Sequence, residues 1–248
     1  MFASLGCAPS RRSVGSKRAE YRSFPTARSP GPFLVSDLRP VPGSVACRLE
    51  VRVDEETAAL LIASDEGEGF VTQKYAASHL GLPLLELVLG EAAAWPVDTT
   101  YVVLGADAEA VLDAADLGDA VVIIDPGWQE GLASGLRAGL DTLTRERIGR
   151  CVLGMGDQLG VVPGDVVAML SAAEARDTAI VVPEYRYARS WPIVLTEGAY
   201  PRLLGIEGSV DVLELFRVHS EGVAEVHFDH MAPARIRGPQ DLKPAGRG

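Results

Sequence analysis

Three cysteines, Cys7, Cys47 and Cys151, are too few and too scattered along 248 residues for a disulfide framework or a zinc knuckle, so a reduced, cytoplasmic setting is expected. No run of 18 or more apolar residues occurs, which excludes a membrane-spanning helix. Cations are also scarce where the chain is most apolar. Residues 1–50 hold 8 Lys+Arg against 3 Asp+Glu and the remainder hold 15 against 31, so the two parts carry +5 and −16. A body that acidic lacks the basic face a nucleic acid requires. No G-x-G-x-x-G followed by an acidic residue on the next strand is present, which argues against a dinucleotide-dependent oxidoreductase.

What is present is a 47% hydrophobic composition, ample for a buried core. The Arg-, Ser- and Pro-rich start of the chain has almost no apolar periodicity and is expected to be a disordered extension over residues 1–56, with a short edge strand at 46–53. A solvated tail, a start codon placed too far upstream, a basic arm for an acidic partner and a transit peptide all fit that composition. A folded domain is expected over 57–243, with a short tail at 244–248.

Within that domain, apolar runs at 58–63, 99–105, 120–125, 150–156 and 179–185 alternate with helical stretches at 83–95, 107–115, 131–143 and 163–175. Near-continuous apolar strands separated by helices predict an α/β fold, a mostly parallel Rossmann-like sheet with helices on both faces. Such sheets bind ligands at the carboxyl ends of their strands, near a switch in strand order. That points to the loops after Ala63, Gly105, Asp125, Gly156 and Tyr185.

The first of these loops, within 60-LLIASDEGEGFVTQK-74, is laid out like a phosphate cradle, with Ser64, Gly67, Gly69 and a terminal Lys74. Lys74 is the only cation between Arg52 and Arg137. Three of the turn residues, Asp65, Glu66 and Glu68, are nevertheless acidic, and a solvated lysine after a tight turn reads equally well. In 125-DPGWQEGLASGLRAGL-140, the small residues Gly131, Ser134 and Gly135 leave a helix start free to lie against an anionic or planar ligand, with Asp125 ahead of it and Arg137 one turn inside. Close packing of two helices accounts for the same small residues. Asp157 follows a buried strand, placed either to hold a divalent metal or to cap the next helix. His227 and His230 flank Asp229, which reads as a metal site or, more simply, as an edge strand with a polar outer face.

Taken together, 103-VLGADAEAV-111, 125-DPGWQEGLASGLRAGL-140, 154-GMGDQLGVVPGDVVAML-170 and 73-QKYAASHLGLPLLELVL-89 resemble the molybdenum-cofactor nucleotidyltransferases and related NTP transferases, which have the nucleotide-diphospho-sugar transferase type of sheet. The resemblance implies an NTP laid over the first loop, a Mg²⁺ ion, and transfer of CMP or GMP to a small phosphorylated acceptor such as molybdopterin. It assigns Lys74 to the loop lysine, Asp157 to the first metal aspartate, and Ser64, Gly67, Gly69, Asp125, Gly131, Ser134 and Arg137 to the nucleotide. In place of the family's A-A-G-x-G-x-R-x-G-x-x-K the chain has 63-ASDEGEGFVTQK-74, without the arginine and one residue longer. In place of D-I-D-T-P-E-D-L it has 235-RIRGPQDL-242, so Arg237 stands where the second metal aspartate belongs and Arg235 where the preceding one does. An arginine cannot ligate Mg²⁺ but can grip phosphate. Arg235 and Arg237 therefore either supply charge to a phosphate or pair with Asp65, Glu66, Glu68 or Asp157. The reading is a diverged nucleotidyltransferase-like protein whose alternative is a non-catalytic module binding a nucleotide or a protein partner. Some relatives are described as NAD(P)H-dependent reductases, a further alternative. Trp191, in the segment matching the family's acceptor side, is expected to narrow the acceptor pocket.

Overall fold

The computed structural model describes residues 56–186, 188–206, 216 and 222–243. Most of the expected extension, its strand at 46–53, the tail, Tyr187 and His219 lie outside the described residues.

Strand β1 (Thr57–Ala63) is buried along its whole length. Its alternation feeds two separate apolar clusters, Ala58, Leu60 and Ile62 on one face and Ala59, Leu61 and Ala63 on the other. Burying each of Leu60, Leu61 and Ile62 contributes about 2 kcal/mol. A two-stranded turn, β2 (Ser78–His79) and β3 (Leu82–Pro83), leads into α1 (Leu84–Ala92), which Pro83 caps. Then come β4 (Thr99–Leu104), α2 (Ala108–Ala114), β5 (Val121–Ile124), α3 (Leu132–Glu146), β6 (Arg150–Met155), β7 (Gln158–Leu159) and α4 (Pro163–Arg176). The chain continues through β8 (Ile180–Tyr185), β9 (Ala188–Arg189), β10 (Ile193–Thr196), α5 (Tyr200–Leu204), β11 (Val223–Phe228) and β12 (Ala234–Arg235).

Among the described residues, the expected strands and helices are present, with small shifts of boundary. Helix α3 runs to Glu146 rather than ending at residue 143, because Arg145 pairs with Asp141 one turn back, and Arg147 then ends it with a φ of 60°.

The main sheet has the order β11-β8-β10-β6-β1-β4-β5, with β9 added to β8. All pairings are parallel except those of β10, which runs antiparallel between β6 and β8, and of β9. Helices α3 and α5 cover one face, while α1, α2 and α4 cover the other. From β1 the chain builds outward through β4 and β5, then returns to place β6 on the opposite side of β1. The strand order diverges at β1, and sheets of this kind bind ligands at the carboxyl ends of the strands there. No helix among the described residues is long and apolar enough to cross a membrane.

Candidate functional site

At that divergence, the loop leaving β1 folds back on its own lysine. Gly67 takes a φ of 76°, and a Cβ there would stand 2.4 Å from the Lys74 Cβ, so only glycine lets the loop lie on the lysine stem. Gly69 also has positive φ and lies beside Pro239. Buried Gln73 fixes the loop's far end. Its Oε1 accepts from the Tyr75 backbone N–H at 2.5 Å, and its Nε2 donates to the Asp65 and Ala106 carbonyls at 3.2 and 3.3 Å. Lys74, 2% exposed, begins a short 3-10 turn and points inward.

Inside, Lys74 Nζ donates to Asp157 Oδ2 at 2.5 Å and to Asp65 Oδ2 at 3.2 Å. Asp157 follows β6 and has no exposed surface. Arg235 reaches it from β12, which pairs antiparallel with β7 and so brings Arg235 opposite Gln158. Its Nε donates to Asp157 Oδ1 and its Nη2 to Oδ2, both at 2.7 Å, the side-on two-point grip that a guanidinium makes on a carboxylate. Tyr75 donates its hydroxyl to Asp65. Burial pushes the Tyr75 phenol well above its ordinary value, and Asp65 and Asp157 push it further. Burial also raises the Asp157 carboxyl, but the hydrogen bonds and charges of Arg235 and Lys74 outweigh it and hold the group below the usual aspartate range.

These contacts bear first on the arginine pair. Arg235 pairs with Asp157, whereas Arg237 is exposed, as are Glu66 and Glu68. They also bear on the expected metal. A divalent ion on Asp157 would lie beside two cations, and each unit-charge pair at about 4 Å costs roughly 4 kcal/mol at an effective dielectric of 20. Arg237, which the resemblance sets at the second ligand's position, has no lone pair to give. The residues present do not fit a divalent cation at Asp157.

The second predicted loop lies against the first. Asp125, 2% exposed, accepts through Oδ1 from the Ser134 hydroxyl at 2.7 Å and the Gly127 N–H at 2.9 Å, while its buried Oδ2 has no partner among the described residues. Gly131, with a φ of 87°, admits the chain to α3. The small residues of α3 serve helix-on-strand packing, not the helix pair weighed from sequence: a Cβ at Gly135 would come 2.8 Å from Ser64 Oγ, and one at Gly139 would come 2.7 Å from Leu60 Cδ2. Ser64 therefore sits between the two loops. Arg137 points elsewhere, donating to the Ile206 carbonyl at 3.1 Å and pairing with Glu130. Trp191 is 5% exposed and belongs to the apolar cluster on the α3 face, a core position.

Sequence reasoning named Lys74 and Asp157 as candidates without foreseeing their contact, and missed Tyr75 and Gln73. The only available signal for those two is that both adjoin Lys74.

Residues 59–223 match the family model described as the MobA-like NTP transferase domain. No curated protein matches the chain. Among solved structures, a homologue of Mycobacterium tuberculosis Rv0371c from Mycobacterium sp. strain JC1 is 24% identical with a TM-score of 0.66, covering 75% of this chain and 92% of that one. Rv0371c from M. tuberculosis H37Rv in complex with manganese is 24% identical with a TM-score of 0.59, covering 73% and 92%. Molybdopterin-guanine dinucleotide biosynthesis protein A from Archaeoglobus fulgidus is 19% identical with a TM-score of 0.54, covering 75% and 94%. At these identities the likeness establishes a shared fold.

Proposed function

Because the chain belongs to the MobA-like NTP transferase family, we propose that it is a diverged nucleotidyltransferase-like protein whose cleft takes a nucleotide or other phosphorylated ligand, with metal-dependent transfer weak or absent. The observation that carries this reading is the closed ion cluster at Asp157, where Arg235 occupies both carboxylate oxygens and Lys74 one of them. Lys74 and Arg235 are balanced by Asp157 and Asp65, so the cluster is neutral and preorganised. Arg235 spends Nε and Nη2 on Asp157, which leaves Nη1 for a phosphate, and exposed Arg237 supplies a second cation nearby in sequence. Asp125 and Ser134 at the start of α3 are the proposed contacts for the rest of the nucleotide.

The second reading is the family's own chemistry, transfer of CMP or GMP from an NTP to a phosphorylated acceptor such as molybdopterin. It is favoured by the retained Lys74 inside its glycine turn and by the structural neighbour solved with manganese. The test is thermal shift of the full chain with CTP, GTP, ATP and UTP, each with and without Mg²⁺, followed by pyrophosphate release. Our reading expects any nucleotide shift to be indifferent to Mg²⁺ and no pyrophosphate to appear. A Mg²⁺-dependent shift with pyrophosphate release would establish the transferase reading instead, and no shift with any of the four would remove the nucleotide.

A further inference from the structure

The histidine-bearing edge strand holds chemistry that the cleft does not use. Strands β8 and β11 pair in parallel with His227 in register with Glu184, and Glu225 lies two residues before His227 on the same face of β11. The structure therefore partners His227 not with its sequence neighbour Asp229 but with two carboxylates across and along the sheet. One ligating atom from each of Glu184, Glu225 and His227 lies within 4.8 Å of the other two, and His227 Nδ1 is 3.1 Å from Glu184 Oε2. Two neighbours hold the set in place. Arg189, opposite Glu184 on β9, donates from Nη2 to Glu225 Oε1, and Arg176 Nη1 binds the Glu225 carbonyl at 3.0 Å.

We propose that Glu184, Glu225 and His227 form a site for one divalent transition-metal ion of the zinc type, with its remaining positions open to solvent. An imidazole with two carboxylates is a borderline donor set that suits zinc, cobalt or manganese better than magnesium. Bonds of about 2.0–2.2 Å would place the ligating atoms roughly 3.4 Å apart, which rotation of these half-exposed side chains achieves from the observed spacing. Arg189 holds one oxygen of Glu225 and leaves Oε2 to the ion, the orienting role that outer-shell donors play around ligating carboxylates. The contrast with Asp157 is electrostatic. There Lys74 and Arg235 already match the charges of Asp157 and Asp65, whereas here two carboxylates and an imidazole share one paired guanidinium, that of Arg189, with Arg176 on the Glu225 carbonyl. This site stands independently of what the cleft binds.

The experiment uses the full chain, stripped with a chelator and held at about pH 7.5. Zn²⁺ is titrated by calorimetry, and Co²⁺ is followed by its visible absorption. One equivalent should bind, and His227→Ala and Glu184→Gln should each weaken binding by at least about tenfold. Glu68→Gln, in the acidic loop after β1, should leave it unchanged. The substituted side chains in β8 and β11 are half-exposed or exposed, and circular dichroism verifies that each variant folds. The proposal is overturned if the wild type binds both ions no more tightly than about 1 mM. It is equally overturned if His227→Ala or Glu184→Gln binds like wild type, or if the loss appears in Glu68→Gln.

Discussion

Asp157 takes three hydrogen bonds from two cations while fully buried, so removing either cation leaves a charge short of its partner. Arg235→Ala is therefore expected to cost about 3 kcal/mol in urea unfolding, at the low end for a broken buried pair because Lys74 remains. The pH dependence follows from the depressed Asp157 carboxyl, where burial raises the value and the Arg235 and Lys74 contacts more than reverse it. A carboxyl lowered by folding adds stability that is fully present above its unfolded value, near 3.9, and is lost as pH falls through the lower folded value. The stability gap between wild type and Asp157→Asn should then be flat from about pH 7 to 5 and narrow below about pH 4. A gap that widens on acidification would contradict the cluster. Lys74 and Asp157 were legible singly as candidates, because each lies in a loop at the carboxyl end of a buried strand. Which of two arginines turns inward was not, since the contact spans 78 residues and depends on β12 pairing with β7.

At the level of elements, small residues decide how closely the cleft-forming loops approach the sheet. Gly156, just after β6, backs directly on β1: a Cβ there would be 2.6 Å from Ala63 Cβ, 3.3 Å from Ala63 Cα and 3.2 Å from Tyr75 Cε1. The backbone of a central strand cannot yield cheaply, so Gly156→Ala should destabilise by about 1–3 kcal/mol in thermal unfolding. Gly90, on the outer side of α1 with nothing within 4 Å of its would-be Cβ, gives the opposite sign. Gly90→Ala should stabilise by about 0.5–1 kcal/mol through helix propensity alone. The parallel core was legible because strands buried on both faces read as continuous apolar runs. Strand β10 was not, because Ile193–Thr196 follows Pro192 in what reads as a loop, and an apolar run carries no sign of its antiparallel direction.

On the scale of the whole molecule, a net charge of −11 opposes any polyphosphate approaching from solution, whatever the arginines at the cleft do at contact range. That imbalance was countable from the sequence, but the strand order that brings residues 74, 157 and 235 together was not, because it depends on pairings far apart along the chain. The two electrostatic ranges separate experimentally. Raising ionic strength from about 0.01 M to 0.15 M shortens the Debye length from about 30 Å to 8 Å, which screens the body's repulsion while leaving the buried Lys74–Asp157–Arg235 contacts nearly untouched. For the nucleotide giving the largest thermal shift, the association rate in stopped-flow with a fluorescent analogue should therefore rise with salt over this range, the reverse of a basic phosphate-binding protein. A rate that falls with salt would mean that Arg235 and Arg237 set the local field on their own, and that the acidic body plays no part in selecting the ligand.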